Sequence, residues 1–154
     1  METFKASDGL QLAYYVDDFT EPWKSAPILL LLHAAMGSAQ RYYAWVPPLS
    51  RHYRVVRMDL RGHGNSQVPP ADRELALDRL VGDVAELMDH LDCTSAHIVG
   101  NSAGGYLGQQ LAMTTASGCA AGCKHKAVVL VKPQRHRSSP RKTKTLARPG
   151  ESPL

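Results

Sequence analysis

The chain has 154 residues, of which 44% are apolar, 21% charged and 6% aromatic, a composition typical of one soluble globular domain with a small net charge of +4. Its longest apolar run, at 28–32, is far shorter than the ~20 residues a membrane helix needs, and its first residues lack the basic and apolar pattern of a secretion signal. Three cysteines argue against a disulfide scaffold, so we expect a cytoplasmic protein with free thiols.

The charge is distributed unequally along the chain. Residues 1–113 carry nine basic and 13 acidic side chains, whereas residues 114–154 carry nine basic ones and only one acid. All ten aromatic residues also lie before residue 114. We therefore expect an ordered domain at 1–113, an atypical segment at 114–133 with an edge strand at 127–131, and a disordered basic tail at 134–154.

Four strands can be predicted from the apolar pattern of the first segment. Loose alternation at 10–16 predicts an early antiparallel strand. Five consecutive apolar residues at 28–32, directly after Pro27, predict a strand buried on both faces, as in a parallel sheet. Two β-rich runs, at 53–58 and 95–100, predict further strands of the same sheet.

One amphipathic helix is predicted between the last two of these strands. We expect an acid such as Asp72 to cap its start, and its own acids, Asp83 among them, to face water. Its apolar side chains recur at helical spacing: Leu77, Leu80, Val81, Val84, Leu87, Met88 and Leu91. Strand, helix and strand in this order predict an α/β domain, a mostly parallel sheet flanked by helices.

A G-x-S-x-G pattern follows the strand at 95–100 and precedes a helical stretch at 106–113. Its residues are Gly100, Asn101, Ser102, Ala103, Gly104 and Gly105. A serine in this pattern sits on a strained strand-to-helix turn, where side chains at Gly100 or Gly104 would collide with neighbouring elements. The turn therefore predicts Ser102 as a nucleophile at the carboxyl edge of the sheet. The alternative is a glycine-rich turn that binds an anion or nothing.

Two other loops follow predicted strands. His33 to Ser38 follows the first buried strand, and we expect the Ala35 amide there and the Ala103 amide just after the serine to form an oxyanion hole. We expect His33 itself to stabilise the turn rather than to act as a base. Asp59 to Ser66 follows the next strand, where Asp59 and Arg61 are expected to pair and His63 to be an exposed loop residue.

In this order and spacing the three motifs resemble the α/β-hydrolase fold family, and within it the serine-nucleophile esterases and enol-lactonases. The resemblance covers about residues 4–113 and implies a truncated α/β-hydrolase fold whose C-terminal strands are missing. It implies Ser102 as the catalytic residue, a small ester or lactone as substrate, and no cofactor or metal. Family members with an aspartate nucleophile, the epoxide hydrolases and haloalkane dehalogenases, are disfavoured because position 102 is serine.

In this family the triad acid and then the histidine follow the serine. Beyond Ser102 the chain offers only Glu151 as an acid, after both His125 and His136, so the order is wrong. A serine without a base is a poor nucleophile, and we expect impaired turnover. The alternative is a non-catalytic fragment that binds a small acyl ligand or a partner protein.

The remaining features of the last segment predict no further partner. Its basic residues lack interleaved aromatic residues and helical amphipathicity, so we expect neither nucleic-acid nor membrane binding. Cys119, Cys123 and His125 supply three potential metal ligands without a fourth, so we expect free thiols rather than a zinc site.

Overall fold

A computed structural model describes residues 1–72, 75–116 and 126–131. Six strands lie in these ranges: β1 Glu2–Lys5, β2 Gln11–Asp17, β3 Ile28–Leu32, β4 Arg54–Met58, β5 Ser95–Gly100 and β6 Lys126–Val131. They form one sheet in the order β1-β2-β4-β3-β5-β6. The four strands β4, β3, β5 and β6 run parallel, whereas β1 and β2 are antiparallel. The fold is the mostly parallel α/β sheet that the sequence predicts.

Helical segments cover both faces of the sheet. A 3-10 helix at Ala39–Trp45 continues into the single-turn helix α1 at Val46–Leu49, and two longer helices follow, α2 at Leu77–His90 and α3 at Ala103–Ala116. Side chains of α2 and α3 pack on one face of the strands in the larger core cluster. The 3-10 helix packs on the other face through Tyr42. These three layers allow β3 to be buried on both sides.

The element predictions hold in most of the first segment. Strands β3 and β5 have the predicted bounds, β4 begins one residue later than predicted, and α3 extends beyond the predicted 106–113 at both ends. Strand β1 was not predicted, because only four residues form it and only Phe4 among them is buried. Strand β6 lies at the sheet edge where an edge strand was expected. Cys119, Cys123, His125 and the tail at 134–154 lie outside the described residues.

Two predictions about helix α2 are wrong. Its N-cap is Ala76, which makes no side-chain capping bond, so Asp72 does not cap the helix. Asp83 does not face water: it is 1% exposed. Its two carboxylate oxygens accept hydrogen bonds from Nε and Nη2 of Arg61, each at 2.6 Å. The helical pattern correctly predicted the apolar face of α2. It could not predict that Asp83 is buried, because the pairing cation, Arg61, lies in the loop after β4.

Candidate active site

The three motif loops leave the sheet from one row of paired residues. In the parallel register Leu32 of β3 lies beside Met58 of β4 on one side and Gly100 of β5 on the other. Two of the motifs begin at the residue after this row, His33 and Asp59, and the third begins at Gly100, the row's own member in β5. The carboxyl ends of parallel strands share one edge of the sheet, which is where α/β proteins place their ligands. The fold therefore brings together three loops that are far apart in the sequence.

Ser102 lies in a strained turn between β5 and α3. Its φ is +52°, in the left-handed region that side chains other than glycine rarely adopt. The Asn101 amide donates to the Leu32 carbonyl at 3.1 Å, and the Gly104 amide donates to the Asn101 carbonyl at 3.1 Å. These bonds hold the turn against β3 and leave Ser102 exposed at the sheet edge.

The two flanking glycines are required by close backbone contacts. A Cβ at Gly100 would collide with the backbone of Gly104 and Gly105. A Cβ at Gly104 would collide with the Leu32 carbonyl and lie 2.7 Å from the His33 carbonyl oxygen. Backbone atoms cannot rotate away as a flexible side chain can, so both positions exclude larger residues. This is the steric reason for the spacing of the glycines around Ser102.

Two backbone amides near the turn have no acceptor within the described part of the chain. One is the Ala103 amide, the first N–H of α3, where the positive end of the helix dipole lies. The other is the Ala35 amide in the exposed loop after β3. Both are the donors that the sequence singled out for an oxyanion hole.

His33 has a structural role, as expected. It is 1% exposed, and its Nε2 accepts a hydrogen bond from the Leu60 amide at 3.0 Å. Its Nδ1–H donates to the Ala34 carbonyl at 2.7 Å. Burial lowers the pKa of His33, which keeps the ring neutral so that Nε2 remains an acceptor. The ring thus joins the loop after β3 to the loop after β4.

His63 is not the exposed loop residue that the sequence suggested. It is half-buried, with its ring centroid 5.3 Å from that of His33. Its Nε2 accepts from the Met36 amide at 3.3 Å, and its Nδ1–H donates to the Arg61 carbonyl at 3.0 Å. Both ring nitrogens are therefore occupied by the backbone, and neither is free to act as a base.

Asp59 and Arg61 do not form the expected pair. The buried Asp59 carboxylate accepts from the Ala39 amide at 2.6 Å and from the Asn65 amide at 3.0 Å. Gly64 packs so closely on this carboxylate that a Cβ there would collide with it. Arg61 instead reaches Asp83. The sequence showed the charges in this loop, but their partners come from other elements.

The partners of the Ser102 hydroxyl decide whether a base is close enough to activate it. Across residues 1–72 and 75–114, no hydrogen bond joins the Ser102 hydroxyl to a histidine or a carboxylate. His125 and His136 are outside the described ranges.

Within those ranges no three His, Cys, Asp or Glu side chains cluster as they would around a metal ion. None of the helices described there is long and apolar enough to cross a bilayer.

Two pockets in the described part of the chain differ in their distance from the three motif loops. A small cavity of about 170 Å³ lies beside the turn and is bounded there by Gly100 and Asn101. A larger groove of about 760 Å³ lies around Phe19 and Arg51 and includes no residue of the three motifs. Of these two, the smaller cavity is the one that shares a wall with the turn.

The chain belongs to the α/β-hydrolase fold family. The family's sequence profile, described as alpha/beta hydrolase fold, matches residues 27–148. The chain is 33% identical to the enol-lactonase from Burkholderia xenovorans LB400, whose crystal structure superimposes with a TM-score of 0.65 over 72% of this chain and 41% of that one.

Two proteins that are similar to this chain in sequence carry names that describe different functions. The chain is 40% identical over 89 residues to the magnesium-chelatase 30 kDa subunit of Rhodobacter capsulatus, a match that covers 58% of this chain and 31% of the relative. It is 32% identical over 93 residues to epoxide hydrolase 4 of the mouse, covering 58% of this chain and 25% of the relative. The chain thus spans less than a third of the length of these two relatives.

Proposed function

We propose that this chain contains the nucleophile-bearing part of a serine hydrolase that acts on a carboxylic ester, a lactone or a related carbonyl compound. The supporting observation is the strained turn, which exposes the Ser102 hydroxyl at the carboxyl edge of the sheet. The similar enol-lactonase is named for a lactone substrate. An epoxide hydrolase with an aspartate nucleophile would need a carboxylate where this chain has Ser102. A small-molecule substrate and a cytoplasmic location are part of this proposal.

In this reaction the Ser102 Oγ attacks the carbonyl carbon, and its proton passes to a base. The carbonyl oxygen becomes an oxyanion, which the amides of Ala35 and Ala103 stabilise by hydrogen bonds. Collapse of the intermediate breaks the ester bond, and the alcohol leaves with a proton, so that the acyl group stays on Ser102. Water then releases the acid. Because no base contacts Ser102 within the described residues, we propose that acylation by this chain is slow.

The same absence supports a second candidate, a non-catalytic protein that binds a small acyl ligand at the turn. The two candidates differ in whether the turn and its amides accelerate acyl transfer. A test must therefore measure the reactivity of the turn without depending on a base that contacts Ser102.

Replacing Ser102 with cysteine provides such a test, because a thiol forms its reactive anion far more readily than a hydroxyl does. The Ser102→Cys chain is treated with p-nitrophenyl acetate, and peptide mass mapping locates the thioester apart from those on the native cysteines. Ser25→Cys is the matched control, since Ser25 is also exposed but precedes β3 at the opposite edge. We expect acylation at position 102 to be at least about tenfold faster, because oxyanion donors accelerate acyl transfer.

Equal rates at the two positions would contradict the proposed function and favour the binding protein. The unsubstituted chain is assayed alongside for turnover of the same ester. We expect slow turnover that Ser102→Ala abolishes, and turnover that survives Ser102→Ala would place the reaction elsewhere.

A further inference from the structure

Among the residues that the structure describes, the cavity beside the turn is lined by one cationic side chain and no acidic one. Its volume is about 170 Å³, and its lining residues are His33, Ala34, Arg41, Tyr42, Trp45, Val99, Gly100 and Asn101. One wall is the backbone that leads into Ser102. Another wall is the 3-10 helix at Ala39–Trp45, where the rings of Tyr42 and Trp45 meet edge to face with their centroids 5.5 Å apart.

Arg41 has no partner for its charge in the described part of the chain. Its guanidinium makes no ion pair and no side-chain hydrogen bond there. Three of the other arginines, Arg57, Arg61 and Arg79, are paired with acids. Arg41 lines the cavity together with His33. Burial is the main cause of the lowered pKa of His33, and the positive charge of Arg41 lowers it further. An unpaired cation in a cavity without acids favours an anionic ligand.

The cavity's size and shape narrow the choice of anion. A volume of about 170 Å³ is comparable to that of roughly six liquid waters, enough for a short chain with one polar end. The aromatic wall suits methylene groups, and the planar guanidinium of Arg41 matches the two oxygens of a carboxylate. We propose that the substrate is an ester or lactone that also carries a carboxylate a few bonds from the reacting carbonyl, and that Arg41 binds this carboxylate. This inference rests on Ser102 as the proposed nucleophile.

Binding can be measured separately from the reaction. The full chain carries Ser102→Ala to prevent turnover and Trp23→Phe, which leaves Trp45 as its only tryptophan and a reporter in the cavity wall. It is titrated with monomethyl glutarate, which has a carboxylate, and with dimethyl glutarate, which is neutral. Trp45 fluorescence and isothermal titration calorimetry report the two dissociation constants.

We expect the monoester to bind about tenfold more tightly than the diester, as a hydrogen bond to a charged group allows, and higher salt to reduce this preference. Arg41→Gln should remove the preference. Arg51→Gln, an exposed arginine at the other groove, should leave it unchanged. Arg41 is exposed, so its variant should fold, and an unchanged unfolding midpoint verifies this.

Equal affinity for the two esters, or a preference that survives Arg41→Gln, would overturn the role of Arg41. Such a result together with fast acylation of Ser102→Cys would leave the proposed function standing and refute only the carboxylate site. An Arg41-dependent preference with no acceleration at position 102 would support the carboxylate site while refuting the hydrolase.

Discussion

Neutralising Asp83 should destabilise the domain more than any other removal of one acidic charge from helix α2. The Asp83 side chain is 1% exposed and the Arg61 side chain 3% exposed, with two hydrogen bonds of 2.6 Å between them. In Asp83→Asn the shape is retained, but the Arg61 charge keeps only Asp8 as its acidic partner, at 2.9 Å. Breaking a buried ion pair costs about 3–5 kcal/mol. Because Asp8 remains, we expect a loss of about 3 kcal/mol in the free energy of unfolding.

Urea unfolding at pH 7, followed by circular dichroism, measures this loss. Asp78→Asn is the matched control, because Asp78 is an exposed acid of the same helix. Its loss should stay below about 1 kcal/mol, the size of a helix-dipole contribution. The double variant Arg61→Met/Asp83→Leu removes both charges, and we expect it to recover most of the stability. A loss for Asp83→Asn no larger than for Asp78→Asn would refute the buried ion pair.

Two further predictions concern the site. Gly104→Ala should lower the free energy of unfolding by at least about 1–3 kcal/mol in urea, because its Cβ would meet the backbone of β3. The control is Gly82→Ala in α2, which should be neutral or stabilising because its Cβ would meet only the flexible Arg79 guanidinium. Similar effects of the two variants would contradict this packing. Burial lowers the pKa of His33, so this side chain binds a proton more readily in the unfolded chain than in the folded one. The contribution of His33 to stability is therefore fully present above the ordinary pKa of 6.5 and is lost as the pH falls from there through the lowered pKa. Urea midpoints at pH 8 and pH 5 should show this fall in the native chain and a smaller one in His33→Asn, and identical falls would exclude His33 as its source.

Much of the fold could be predicted from patterns within single short stretches of the sequence. The apolar run of β3 and the helical spacing of α2 are properties of short stretches, because burial on two faces or on one stripe requires those residue types in that order. The turn at Ser102 is also local, since the glycines around it and the strand and helix beside it are contiguous in the sequence. These features could be predicted without knowing any distant contact.

Only the tertiary structure decided where the charged and titratable side chains lie. Periodicity predicted that Asp83 faces water, because it could not show the cation that pairs with it: Arg61 comes from a different loop. The same holds for His63, whose ring is held by the Met36 amide, and for Arg41, whose position in the cavity wall depends on how the 3-10 helix packs against β3 and β4. A charge or an imidazole in a core is stable only when a partner is supplied, and here the partners come from remote parts of the chain.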